Sequence, residues 1–221
     1  MAEQPVDNKG RLRITEIFYS LQGETSLSGL PTVFIRLTGC PLRCHYCDTE
    51  YAFSGGQWML LDEILAQLEH YNTRYVTVTG GEPLAQKASL ELMQRLCDQG
   101  YQVSLETSGS LSIAAVDDRV SRIVDIKTPG SGEDSKNDYA NIDELQTNDQ
   151  LKFVITKRAD YDWAKEIMKQ YALDTRCEVL FSPVADQISA TDLADWILQD
   201  QLPVRFQLQL HRILWGDTAG K

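Results

Sequence analysis

The stretch Pro31–Thr49, PTVFIRLTGCPLRCHYCDT, decides how the rest of the chain is read. Its first half is a run of β-branched and aromatic residues of the kind that fills a buried strand. Its second half holds Cys40, Cys44 and Cys47, three of the five cysteines in the 221 residues, at a C-x3-C-x2-C spacing. A strand that ends in a cysteine-rich loop makes the strand end a candidate site. Six further β-rich segments follow, RYVTVTG (74–80), YQVSLETSG (101–109), RIVDIKT (122–128), QLKFVIT (150–156), CEVLFS (177–182) and VRFQLQL (204–210). Between them lie helix patterns at 60–71 and 85–100, the second closing on Gly100, with similar periods around 160–171 and 190–200. Strands alternating with helices predict an α/β fold with a parallel sheet. A complete eight-unit barrel takes about 250 residues, so the expectation is a partial, open β/α barrel of about six strands.

One domain over 1–221 is expected, since no Pro- or Gly-rich linker divides the chain. Residues 1–10 and 217–221 read as loose ends, and the polar stretch 128–141 as a mobile loop on the active face. With 43% hydrophobic and 24% charged residues, no long apolar run and neither a secretory nor a transit pattern at the start, a cytoplasmic protein that avoids membranes is expected. A net charge of −11 argues against nucleic acid, whose phosphates demand a basic surface. The ligand is expected to be a small molecule.

An odd number of cysteines with three clustered does not make a disulfide framework, so the cluster reads as a metal site. Cys97 and Cys177, elsewhere, read as ordinary buried thiols. Structural zinc wants four closed ligands. Only one C-x2-C is present, and His45 would need a tight fold-back to serve as the fourth. Three thiolates suit a 4Fe–4S cluster with one iron left open for chemistry.

The triad, with Tyr46 before its last cysteine, resembles the signature of the radical S-adenosylmethionine superfamily. Thr79-Gly80-Gly81-Glu82-Pro83, after the next strand, resembles that superfamily's GGE motif. The longer pattern ITEIFYSLQGE (14–24), FIRLTGC (34–40) and CDT (47–49) is similar to the 7-carboxy-7-deazaguanine synthase family over residues 12–216. The resemblance implies a lyase of queuosine (7-deazapurine) biosynthesis that contracts the ring of 6-carboxy-5,6,7,8-tetrahydropterin and releases ammonia. Its implied cofactors are the 4Fe–4S cluster, S-adenosylmethionine and Mg2+; a homodimer and a flavodoxin or ferredoxin reductant are implied partners.

Carried over by position, Leu21, Gln22, Gly23, Glu24, Arg36, Thr79 and His211 would bind the pterin. Gln22 and Glu24 can read an aminopyrimidinone edge, and Arg36 offers a planar fork to a carboxylate. Tyr46, Asp48, Gly81, Glu106, Asp125, Ile126, Lys127, Ser182, Pro183 and Val184 would face S-adenosylmethionine, and Thr49 the magnesium ion. Without the resemblance, Asp48-Thr49 is a turn cap and His211 a structural histidine. Two departures stand out. Asp125-Ile126-Lys127 matches the SPK of some relatives only at the lysine, and the chain runs on through Leu214-Trp215-Gly216 to Lys221 where some relatives end in a proline carboxylate. The competing readings are a glycyl-radical activase, which would act on a protein, and a metal-binding module without activity.

Overall fold

The computed structural model describes residues 10–216, Thr218 and Gly220; the ends expected to be loose lie mostly outside these. The elements in chain order are β1 (Arg11–Leu21), β2 (Pro31–Leu37), β3 (Gln57–Leu60), α1 (Leu61–Leu68), β4 (Tyr75–Gly80) and α2 (Ala88–Asp98), then β5 (Gln102–Thr107), β6 (Ser121–Asp125) and β7 (Gln150–Ile155). They continue with α3 (Arg158–Tyr171), β8 (Glu178–Pro183), α4 (Ala190–Asp200), β9 (Arg205–Phe206) and α5 (Leu210–Trp215). Among the described residues one nine-stranded sheet runs in the order β3-β1-β2-β4-β5-β6-β7-β8-β9. From β2 onward every neighbouring pair is parallel. Six long parallel strands and the two-residue β9 realise the expected open barrel, whose edges β3 and β9 do not meet.

Two strands were not anticipated. β1, read only as a motif, precedes β2 and pairs antiparallel with it and with β3, so PTVFIRLTG is the second strand and not the first. A register shift between Ile14 and Glu16 breaks β1's alternation, which hides its period from a sequence scan. β3 is short and mostly exposed.

The apolar faces pack as their periods require. Leu61, Ile64, Leu65 and Leu68 of α1 join Leu92, Met93 and Leu96 of α2 and the apolar residues of β1, β2, β4 and β5 in one core. A second core forms where α3 and α4 meet β7 and β8, with Tyr161 and Phe153 edge-on to Phe181 at 5.9 and 5.4 Å. α2 ends just before Gly100, where the Tyr101 N–H returns to the Leu96 carbonyl at 3.1 Å. Cys177 is buried and Cys97 half-buried against the first core. No described helix is long and apolar enough to cross a membrane.

The stretch 128–141 is no open coil. It forms 3-10 turns at Pro129–Ser131, Asp134–Lys136 and from Tyr139 on. Gly130 donates to buried Asp160 at the start of α3 (2.8 Å), and the Asn137 side chain takes the Lys127 N–H (2.8 Å).

The end of the chain corrects another expectation. QLQLH does not continue the last strand to His211; β9 stops at Phe206, and His211 lies in the first turn of α5. The cause is Gln207, whose buried amide clasps the main chain of Thr25 through both its oxygen (2.7 Å) and its nitrogen (3.0 Å). Leu210 then donates to the Gly23 carbonyl at 3.0 Å. The chain leaves the sheet to dock on the segment after β1.

Candidate active site

The parallel strands end together on one side of the sheet, and a cavity of about 450 Å³ opens there. Every residue singled out from the sequence lines it except Ile126. Ile126 belongs to the second core, and its N–H is taken by the Lys152 carbonyl at 2.9 Å. Its side chain does not reach the site.

Cys40, Cys44 and Cys47 stand on the rim, free and half-buried. Their loop is held by the main chain: Gly39 donates to Ala52 (2.7 Å), His45 to Ser131 (3.0 Å) and Arg43 to the Glu133 carboxylate (2.6 Å). Burial pushes all three thiols above the usual range, Cys44 to about 11. They stay protonated until a metal displaces their protons. Among the described residues no three His, Cys, Asp or Glu side chains gather closely enough for one metal ion. The His45 ring packs on Gly132. Three free thiols on one short loop fit a 4Fe–4S cluster with one iron left open.

The glycines of the GGE motif have a structural reason. A Cβ on Gly81 would stand 2.2 Å from the Gly39 carbonyl oxygen, and one on Gly80 2.4 Å from that of Leu37. Only glycine lets the end of β4 lie flat against the root of the cysteine loop. Glu82 is fully buried, and its carboxylate accepts from Thr107 Oγ1 (2.9 Å), Ser108 N (2.7 Å) and Ser108 Oγ (2.5 Å). It ties the end of β4 to the end of β5.

At the ends of β6 and β8 lie Asp125, Lys127, Ser182, Pro183 and Val184. Lys127 Nζ pairs with Asp125 Oδ2 at 2.6 Å. Burial discourages its charge, but Asp125, Tyr46 and Cys44 hold its pKa well above the usual lysine value. Asp125 Oδ1 and the Tyr46 hydroxyl are buried without a partner. Such orphans in a cavity wall fit a polar ligand such as S-adenosylmethionine.

The opposite wall gathers side chains from distant parts of the chain. Gln22 Nε2 donates to Thr77 Oγ1 (3.0 Å) and Glu106 Oε1 (3.2 Å), and Thr79 Oγ1 to Glu106 Oε2 (2.9 Å). Burial, and next the charge of Glu24, raise the Glu106 carboxyl above its ordinary range. Lys152 Nζ ion-pairs with Glu24 Oε2. Arg36 Nε donates to Glu16 Oε1 at 2.7 Å, as does the Tyr51 hydroxyl at 2.8 Å. A Cβ on Gly23 would stand 2.8 Å from His211 Nδ1, so the glycine makes room for the histidine.

Thr49 sits at the N-cap position of the 3-10 turn Glu50–Phe53; its carbonyl accepts from the Ala52 N–H at 3.0 Å, but its side chain makes no cap hydrogen bond. Its hydroxyl donates to Asp48 Oδ1 (2.7 Å), and Gln209 Nε2 donates to Asp48 Oδ2 (3.2 Å). Asp48 keeps an exposed edge, so the surrounding protein opposes its charge only in part, and these two bonds, with Lys152 and Arg36 nearby, hold its carboxyl below the usual range. Beyond Gly216, Thr218 and Gly220 also line the cavity.

Lys152, Glu16 and Gln209 have no role in the sequence reading, and Glu82 appears in it only as part of the GGE motif. A usable signal existed. Thr77 and Thr79, Ser104 and Glu106, and Lys152 put polar groups at alternate positions of strands otherwise buried on both faces.

The sequence profile of the Radical SAM superfamily matches residues 34–172. The 7-carboxy-7-deazaguanine synthase of Koribacter versatilis is 44% identical over 95% of this chain and 100% of its own length. The synthase of Chlorobaculum tepidum is likewise 44% identical, over 94% of this chain and 96% of its own. In three dimensions the crystal structure of QueE from Escherichia coli aligns with a TM-score of 0.77 at 23% identity, covering 94% of this chain and all of the other. SuiB of Streptococcus suis bound to its precursor peptide SuiA aligns at 0.57 and 12%, over 77% of this chain and 46% of its own. These two share the fold; the curated relatives, named for 7-carboxy-7-deazaguanine synthesis, do not favour the glycyl-radical activase. The chain belongs to the radical S-adenosylmethionine superfamily and, within it, to the 7-carboxy-7-deazaguanine synthase family.

Proposed function

We propose that the chain is a carbon–nitrogen lyase that converts 6-carboxy-5,6,7,8-tetrahydropterin to 7-carboxy-7-deazaguanine with release of ammonia, in queuosine (7-deazapurine) biosynthesis. The observation that carries the reading is that one cavity unites three free thiols with a hydrogen-bonded set made of Gln22, Thr79 and Glu106. A metal-binding module would have no use for the second set.

Cys40, Cys44 and Cys47 would hold the cluster. Tyr46, Asp48, the Gly81 backbone, Asp125, Lys127 and Ser182-Pro183-Val184 would hold S-adenosylmethionine. Together these groups, when bound, supply a carbon radical able to take a hydrogen atom from the substrate. Ile126 can serve only through its carbonyl, since its N–H is engaged.

The protein's own work is to seat the pterin so that one carbon faces that radical, and to keep water out. Gln22, Glu24 and Thr79 would read the aminopyrimidinone edge, with Leu21 and Gly23 shaping the wall. Glu106, which the resemblance sets beside S-adenosylmethionine, accepts hydrogen bonds from Gln22 and Thr79, and these support a place on the pterin side. Arg36, oriented by Glu16, has a planar fork suited to the pterin carboxylate, and His211 would close over Gly23. Thr49 would hold Mg2+, its hydroxyl steered by Asp48. A single domain over 1–221, a cytoplasmic homodimer and a flavodoxin or ferredoxin as electron donor complete the reading.

The test is anaerobic reconstitution with iron and sulfide, followed by dithionite, S-adenosylmethionine and the carboxytetrahydropterin, with and without Mg2+. Formation of 7-carboxy-7-deazaguanine and ammonia is expected, faster with Mg2+. A brown, S-adenosylmethionine-cleaving chain that leaves the pterin untouched would refute the substrate.

A further inference from the structure

We propose that Lys152 is a positioning residue for the pterin: its ammonium, ion-paired with Glu24, holds that carboxylate as an acceptor beside the hydrogen-bonded pair of Gln22 and Glu106. The inference rests on the pterin reading of the cavity.

Lys152 occupies the middle of β7, between Leu151 and Phe153, which are fully buried in the second core. Its side chain is 13% exposed and that of Glu24 12%. A lysine so placed is costly unless its charge is matched. Acidic groups face it from several elements: Glu24 after β1, Glu106 on β5, and Asp125 on β6, directly across the strand pair. Asp48 of the cysteine loop feels its charge as well, and Arg36 of β2 reaches both Asp48 and Glu106. Asp125 is already matched by Lys127, and β8 offers only Leu180 at the paired position. Glu24 takes the direct ion pair.

The chemistry of the substrate gives this arrangement a purpose. An aminopyrimidinone presents a ring N–H beside an amino group, two donors that an ionised carboxylate accepts side by side. A protonated carboxyl would point its own donor at them. Burial, and next the charge of Glu24, push the Glu106 carboxyl up. With no cation between them, such a pair captures a proton. Lys152 prevents the capture and so fixes the donor and acceptor pattern that Gln22 extends; the Gln22 amide oxygen is itself held by the Glu24 N–H at 3.1 Å.

The experiment compares wild type, Lys152→Met, Lys152→Arg, Glu24→Gln and the Lys152→Met/Glu24→Gln double variant, each full length and reconstituted. Steady-state constants for both substrates are measured against pH, with pterin binding by calorimetry and melting by circular dichroism. Lys152→Met is expected to raise the pterin KM by about 10- to 100-fold, the scale of a lost charged hydrogen bond, while the S-adenosylmethionine KM holds. The acid limb of kcat/KM should move up by about one pH unit or more, because the Glu106 carboxylate loses a nearby cation. Lys152→Arg should restore most of both. In the Glu24→Gln background the same Met change should cost much less, as coupled residues require. Should the Met chain fail to fold, Glu24→Gln carries the test: with the like charge gone, the acid limb must move down even as KM rises.

An unaltered pterin KM and acid limb in Lys152→Met, or an unmoved limb in Glu24→Gln, overturns the proposal. So do equal losses in Met and Arg accompanied by weaker S-adenosylmethionine binding and lower melting, which mark Lys152 as a part of the sheet alone. Wild type that fails to bind the pterin removes the underlying reading too. Wild type that binds it beside an unaffected Met variant removes this proposal only.

Discussion

On the cluster side of the cavity, the three cysteines fall within eight positions and their loop is held by main-chain bonds, such as Gly39 to Ala52 and His45 to Ser131. On the opposite wall, proposed above for the pterin, the partners are far apart in sequence: 84 positions separate Gln22 from Glu106, and 128 separate Glu24 from Lys152. The first wall is a local conformation that needs a few glycines and thiols. The second exists only once β1, β4, β5 and β7 share one sheet. The cluster side should therefore fail through single contiguous residues, and the pterin side through charge and partnership.

The largest effect is expected from Cys44→Ala. Product should fall to background and iron retention should drop, because two thiols cannot hold a cluster that three hold. The metal-free chain should melt within a few degrees of wild type, since the thiol is on the rim and not in either core. Pterin binding measured without the cluster should survive. If it vanishes along with the cluster, the two walls are not separate.

Gly81→Ala comes next. Its Cβ would stand 2.2 Å from the Gly39 oxygen and 3.0 Å from Cys40 Cβ, so the cysteine loop must lift away from β4. Overpacking of this kind costs about 2–3 kcal/mol, or a melting point roughly 5–10 °C lower at this chain length. Iron uptake should fall in parallel. A variant with normal iron content would mean that the loop reaches its position without the flat strand end.

This contrast also explains what the sequence allowed to be read. The thiol triad and GGE are contiguous, each with one chemical rationale, and their strand-end placement follows from β/α alternation. Ile126 comes to the site only through the likeness of Asp125-Ile126-Lys127 to the SPK of some relatives, yet its side chain is buried in the second core. His211 was put on a strand because QLQL alternates. The decisive fact was the grip of Gln207 on Thr25, 182 positions away, which no local pattern carries. Lys152, a lysine inside QLKFVIT, is itself a signal. Its meaning depends on Glu24 and Glu106, and pairings between distant residues are set by topology.

The smallest effect opposes function to stability at Glu106. Burial and the Glu24 charge raise its folded-state pKa above the ordinary carboxylate value. The protonated form is thus favoured by folding: the contribution is fully present below the unfolded pKa and is lost as pH rises through the folded one. At neutral pH the ionised group is a net strain on the fold. Glu106→Gln should therefore melt at or slightly above wild type at neutral pH, with the gap narrowing as pH falls toward the carboxylate range. The amide should still receive a hydrogen bond from Gln22 or Thr79 but lose the charge that accepts the pterin donors, so pterin KM should rise about tenfold while S-adenosylmethionine KM stays put. The acid limb of kcat/KM should flatten, since the group that titrates there is gone. A lower melting point at neutral pH, with both KM values unchanged, would instead make Glu106 a strut between β4 and β5 and move pterin recognition to Glu24 alone.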